Sequence, residues 1–243
     1  MAAVKGLNCP SCGAALEIRG FEHTLSIVSV QCLSVLDAKD PNFQVLQQFQ
    51  ERERIPPLLP LGTRGKLHGD PYEVIGFQVR TIGVDDLPYS WHEYLLFNPF
   101  KGFRYLTQYE GHWNDVKTVK ALPERTTKSG KPAVSLLGET YLHFQTAEAE
   151  TTFVMGEFPW QVKVGEKATV QDFISPPRML SAEATGPEIV WSLGDYVTGA
   201  WVWQAFGLRG SPPPAVGTFA NQPSPYEDKT KGIWVTFLAL LVI

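Results

Sequence analysis

A chain of 243 residues has room for one large domain or two small ones around a sizeable core. Its formal charge of −4 lacks the basic footprint of a nucleic-acid binder, and its three cysteines, all within the first 32 residues, are too few and too clustered for a disulfide framework. Aromatic residues make up 12 %, with seven Trp, and 19 Pro and 21 Gly are spread along the chain, which predicts a mainly β protein of many short strands and turns.

The N-terminus lacks the apolar core of a signal peptide, which predicts a reduced, cytosolic start. The first motif is Cys9-Pro10-Ser11-Cys12-Gly13. Two thiols two residues apart, followed by a glycine that completes the turn, can hold one side of a tetrahedral zinc ion. A zinc ribbon needs a second pair about 15–20 residues on. Ser29-Val30-Gln31-Cys32 stands there, with serine in the place of the third thiol. Three readings follow: a zinc site of Cys9, Cys12 and Cys32 completed by His23 or water, an altered ribbon that keeps its fold without stable metal, or a redox dithiol at Cys9 and Cys12. In each of the first two, residues 1–39 form a small structural knuckle.

Asp40 suits a helix cap, Pro41 the first helical position, and Phe43, Leu46 and Phe49 recur on one face. This predicts a linker helix over residues 40–54, within a linker of residues 40–57 that Ile55-Pro56-Pro57 closes.

From Leu61 the pattern changes to alternation. A hairpin turn is predicted at His68-Gly69-Asp70-Pro71, then strands over 72–80, 91–97, 103–109 and 112–119. A second series covers 141–145, 150–156, 158–164, 168–173, 179–183, 189–192 and 195–197. The stretch YSWHEYLL at residues 89–96 has a loose echo in EIVWSLGDY at residues 188–196. The expectation is a β-rich body over residues 58–208, barrel- or sandwich-like, made of two related antiparallel halves over 58–122 and 133–208. Residues 201–208 are expected to form a short helix or a last strand.

Several of these segments resemble a known family. Tyr72-Glu73-Val74-Ile75-Gly76, Trp91-His92-Glu93-Tyr94-Leu95-Leu96, Gly156-Glu157-Phe158-Pro159-Trp160 and Trp191-Ser192 with Gly194 and Tyr196 are similar, in order, to the bacterial family catalogued as domain of unknown function 4178. The resemblance spans residues 58–206. It implies an N-terminal zinc ribbon and C-terminal membrane helices, and no established activity. Ser29 departs from the ribbon pattern.

No catalytic constellation is legible. His68, His92, His112 and His143 are scattered, and no H-x-x-x-H pairing or G-x-S-x-G elbow exists. Glu93 adjoins His92, but neighbours on a strand face opposite sides of a sheet, so Glu93 is expected in a turn network and His92 at the surface.

Residues 209–232 are a proline-rich linker. The apolar run Ile233–Ile243 follows Lys229 and Lys231 and opens with Trp234, which predicts the start of a transmembrane helix, truncated, with the body on its cytosolic side. A terminal strand is the other reading. Together these features predict a non-enzymatic interaction or scaffold module, tethered to the cytoplasmic face of a bacterial inner membrane and bound to a protein partner. A small-molecule or lipid-handling enzyme with its site between the halves is the alternative, and a pocket gathering Glu93, Glu183 and a histidine would favour it. Nucleic-acid binding through the ribbon is the third reading.

Overall fold

The computed structural model describes residues 5–48 and 55–224. Strands β1 (Lys5–Asn8) and β2 (Ala15–Ile18) form a hairpin, and β3 (Ser26–Val28), β4 (Val35–Asp37) and β5 (Val45–Gln47) form a small meander beside it. The linker helix expected over residues 40–54 is not formed in its described part: Asp40–Asn42 turn and β5 pairs with β4. Asp40 does cap, but it caps a turn, its Oδ1 accepting from Asn42 N at 2.7 Å. Residues 49–54 lie outside the described residues.

The body starts with β6 (Arg64–Leu67) and the long strand β7 (Asp70–Val84), joined by a two-residue turn in which His68 and Gly69 both have positive φ. β8 (Leu87–Asn98), β9 (Gly102–Tyr109) and β10 (His112–Thr118) complete a four-stranded meander. The hairpin β11 (Glu124–Lys128) and β12 (Lys131–Leu136) leads into β13 (Glu139–Phe158), 20 residues long. β14 (Lys167–Ser175), β15 (Arg178–Thr185) and β16 (Glu188–Val197) complete a second meander. The segments expected as two strands over 141–156 are one strand, as are those over 189–197. Residues 159–164 are loop, because Pro159 ends the ladder.

The two meanders close on each other. β10 pairs with β16 and β7 with β13, so β7-β8-β9-β10-β16-β15-β14-β13 forms an eight-stranded antiparallel barrel. A closed barrel removes exposed strand edges. At residue 142, β13 is flanked by β12 and β14, and at residue 156 by β3 and β7, so one strand carries hairpin, barrel and ribbon together.

Alternation along the strands sorts side chains between lumen and outer face. Phe77, Val79, Tyr94, Leu96, Leu106 and Trp113 point outwards. There they meet Leu59 and helix α1 (Gly199–Phe206), whose Val202 and Phe206 bury the barrel's outer wall. Thr198 caps α1, its Oγ1 accepting from Trp201 N at 3.1 Å, and Gly207 ends it in the left-handed region.

The ribbon end is plugged differently. Val28 and Val35 pack with Ile75, Leu95, Phe97, Val154 and Phe158. The polar part of this joint is Glu157, 1 % exposed, whose carboxylate accepts from Arg19 N at 2.7 Å, Gly20 N at 2.8 Å and Thr24 Oγ1 at 2.9 Å. No helix among the described residues is long and apolar enough to cross a membrane, and Ile233–Ile243 lie outside them.

Candidate functional site

The barrel encloses a cavity of about 750 Å³ between the two meanders. Its wall follows the two-residue period: Gln78, Arg80 and Ile82 from β7, Trp91 and Glu93 from β8, Tyr105 and Thr107 from β9, Ser181 and Glu183 from β15, Val190 and Ser192 from β16. The mouth is at the β7–β8 end, where Val84, Tyr89 and Phe144 are exposed. Part of this end is covered by Thr218, Phe219 and Ala220 of the segment after α1. Phe219 stacks on His112, with ring centroids 5.5 Å apart. Asn221 is fully buried and anchors the segment, its Nδ2 donating to Asn114 Oδ1 at 2.7 Å and to Pro177 O at 2.9 Å.

Polar groups cluster midway down the lumen. Arg80, 5 % exposed, donates from Nη1 to Glu183 Oε1 at 2.8 Å, while its Nε–H has no acceptor among the described residues. Glu93 accepts from Gln78 Nε2 and Trp91 Nε1, both at 2.6 Å. Asp172 accepts from Gln145 Nε2 at 2.7 Å and Ser181 Oγ at 2.6 Å. Burial raises the Glu183 carboxyl above the usual range against the pull of Arg80, and the nearby Glu93 adds to the rise. Burial acts to lower the Arg80 guanidinium, but the surrounding carboxylates outweigh it and hold the cation firmly protonated. Burial also raises the Tyr105 phenol, with Glu93 and Glu183 adding to it, so the ring presents a neutral hydroxyl to the lumen.

Glu93 and Glu183 therefore do share one pocket, but no histidine among the described residues lines it. His92 faces outwards, as strand alternation requires. It is not at the surface, however: its ring packs against Phe77 at 5.3 Å and burial lowers its pKa. His68 pairs with the buried Asp115, at 2.6 Å, which also holds Arg104. His112 lies 2.9 Å from Tyr196 Oη, and His143 bonds Thr146. Glu93 belongs to a strand, and its partners are lumen side chains, not a turn network. Arg80 escaped the sequence reading because it was placed at the end of a strand that in fact runs four residues further. The alternation Gln78-x-Arg80-x-Ile82, with Phe77 and Val79 between, was the available signal.

A second cluster lies in the ribbon. The turns at Cys9–Gly13 and Ser29–Leu33 have the same form, Gly13 N donating to Cys9 O and Leu33 N to Ser29 O, each at 2.8 Å. They bring the sulfurs of Cys9, Cys12 and Cys32 within 4.8 Å of one another. Cys9 Sγ lies 3.7 Å from Cys32 Sγ, and Ser29 Oγ lies 3.7 Å from Cys12 Sγ, at the fourth corner. His23, expected as a substitute ligand, instead packs its ring between Phe97 and Phe103, at centroid distances of 5.8 and 6.1 Å. Burial works to raise the Cys32 thiol, but the hydroxyls of Ser29 and Ser34 and the Ser34 backbone bring it down to about 6. Three thiols with one ionised near neutrality fit a metal ion, which Cys9, Cys12 and Cys32 would hold.

A family model for Domain of unknown function (DUF4178) matches residues 60–199, more than half of the chain. The chain belongs to that family. The match begins just before β6 and ends at the start of α1, so the DUF4178 region contains all eight barrel strands, while Thr218, Phe219 and Ala220 of the cavity lining lie beyond it. No curated protein and no solved structure matches the chain.

Proposed function

We propose that this DUF4178 barrel is a small-molecule-binding module whose ligand occupies the lumen. The observation that carries this reading is the 750 Å³ cavity, within the range of ligand pockets, whose wall combines aromatic and apolar side chains with a buried cluster of polar ones. The ribbon is a structural end-piece, and we infer zinc as the ion its thiols would take.

The test is native mass spectrometry of the full chain beside a lumen-filling variant, Thr107→Trp, with folding followed by circular dichroism. A small molecule retained by the wild type and lost from the folded variant is expected. Equal mass spectra for the two would remove the reading.

A tethered interaction module is the second reading. Val84, Leu87 and Phe144 are 42 %, 59 % and 51 % exposed at the β7–β8 end and would suit an apolar partner, and the run Ile233–Ile243 supplies an anchor. Recovery of the tagged chain from membranes with a stoichiometric protein partner supports it. Soluble, partnerless recovery removes it.

A further inference from the structure

Resting on the lumen as a binding site, we propose that its ligand is an organic cation, an ammonium or guanidinium head on an apolar or aromatic body. Among the described residues, the charges that line the cavity are one cation, Arg80, and five carboxylates, Glu93, Glu166, Asp172, Glu183 and Glu188. What each presents to the lumen differs more than the count does. The Arg80 side chain is only 7 % exposed and is already tied to Glu183, whereas the Glu183 side chain is 42 % exposed. Arg80 thus acts as an internal counter-charge behind the wall, and the accessible charge is negative.

Glu93 and Asp172 sharpen the point. Each is fixed by two neutral donors, Glu93 by Gln78 and Trp91 and Asp172 by Gln145 and Ser181. Among the described residues, neither has a cationic side chain within ion-pair distance. Neutral donors orient a carboxylate without cancelling its charge; Arg80 attracts Glu93 through space, but it is one cation among five lining carboxylates, so net negative charge remains for a cation entering the lumen. An anion would meet these carboxylates in a confined, poorly screened space and be repelled.

The remaining wall suits the same ligand. Trp91, Tyr105 and Trp160 line the cavity around this centre, and aromatic faces attract cations. Farther towards the mouth, Val84, Tyr89 and Phe144 offer an apolar path for the body of the molecule. A long-chain anion, such as a fatty acid, would need the opposite centre, with exposed cations.

The experiment is calorimetric titration of the full chain at pH 7 with decylammonium and with decanoate, which share an alkyl body and differ in the sign of the head. Binding counts as lumenal only where Thr107→Trp abolishes it, which sets aside adsorption to the acidic surface. We expect lumenal decylammonium binding, at least about ten-fold tighter than decanoate, and a loss of about ten-fold in the near-isosteric Glu93→Gln variant, where one charge-assisted contact is gone. Lumenal decanoate binding as tight as decylammonium, or a Glu93→Gln variant with unchanged decylammonium affinity, overturns the cation while leaving the lumen a binding site. Absence of lumenal binding by either probe, together with equal native mass spectra for wild type and Thr107→Trp, overturns both.

Discussion

Gly76 and Gly156 face each other in register across the seam where β7 meets β13, and neither position has room for a side chain. A Cβ on Gly156 would lie 2.3 Å from Ile75 O, and one on Gly76 would lie 2.5 Å from Glu157 O. Gly156 also has φ of +91°, in the region that favours glycine. Barrel closure therefore depends on two bare backbones passing at close range. Gly156→Ala is expected to cost about 2–4 kcal/mol, from strain and overpacking together. Gly83→Ala, where a Cβ meets nothing within 4 Å, should change stability by less than about 1 kcal/mol. Urea unfolding of the two variants side by side checks the contrast.

Glu157 gives the ribbon joint a pH dependence of definite sign. Burial raises its carboxyl above the ordinary value of 4.5, against the Gly20 and Arg19 amides and Thr24 that donate to it. Between the ordinary and the raised value the folded chain holds more protons than the unfolded chain, so this group's contribution to stability declines as pH rises through that window. Glu157→Gln lacks the ionisation. The stability of wild type minus that of the variant should therefore fall as pH goes from 4.5 upwards, and a flat or rising difference would refute the assignment.

Ser29 occupies the corner that a fourth thiol would take. Because zinc ligands bind as anions or imidazoles, Ser29→Cys should convert a three-thiol site into a four-thiol one with higher affinity. Zinc content after dialysis against increasing chelator reads this directly. The variant is expected to retain one equivalent at chelator concentrations that strip the wild type. Identical release curves would mean that the hydroxyl's place is not a coordination position.

Phe206 is the outer counterpart of the seam glycines. Its ring lies so close over Gly65 that a Cβ there would sit 2.6 Å from it, and it belongs to the same cluster as Phe77, Tyr94 and Trp113. Phe206→Ala should destabilise the chain by about 3–5 kcal/mol, the usual cost of removing a buried phenylalanine. Thermal or urea denaturation measures it.

Asn221 holds the segment that covers part of the mouth. Asn221→Ala removes the donor to Asn114 Oδ1 and Pro177 O, leaving buried acceptors unpaired at about 1–3 kcal/mol. Faster proteolytic cleavage within residues 211–224, with the barrel itself intact, is the expected result. Unchanged cleavage would mean that the Phe219 stack on His112 suffices to hold it.

The barrel was legible where alternation and turn chemistry agreed. His68-Gly69 and the strands around Tyr94 stand close to where the residues placed them, because Gly and Asp at turns and β-branched or aromatic residues between them act locally. The expected helix over residues 40–54 went astray for a local reason too. Asp40-Pro41 suits a tight turn as well as a helix start, and the apolar spacing of Phe43 and Leu46 does not reveal the edge of β4 that β5 pairs with. The length of β7 was underestimated because Arg80 read as a strand end, when its side chain faces an enclosed lumen. Nothing in a linear pattern announces that two meanders close on each other. Hence Glu93 and Glu183 could be named as candidates for one pocket, but Arg80 beside them could not.

The reach of β13 bears on how the molecule is divided. The family match starts at residue 60, yet the edge of β13 at residues 156–158 is completed by β3, which lies before that boundary. Inheritance and folding thus partition this polypeptide differently: the region shared by descent is smaller than the piece that satisfies its own backbone. A fragment trimmed to the shared region would leave Gly156–Phe158 without its β3 partner and uncover Phe158 and Val154, inviting edge-to-edge association between copies. The ribbon is therefore the barrel's own edge protection.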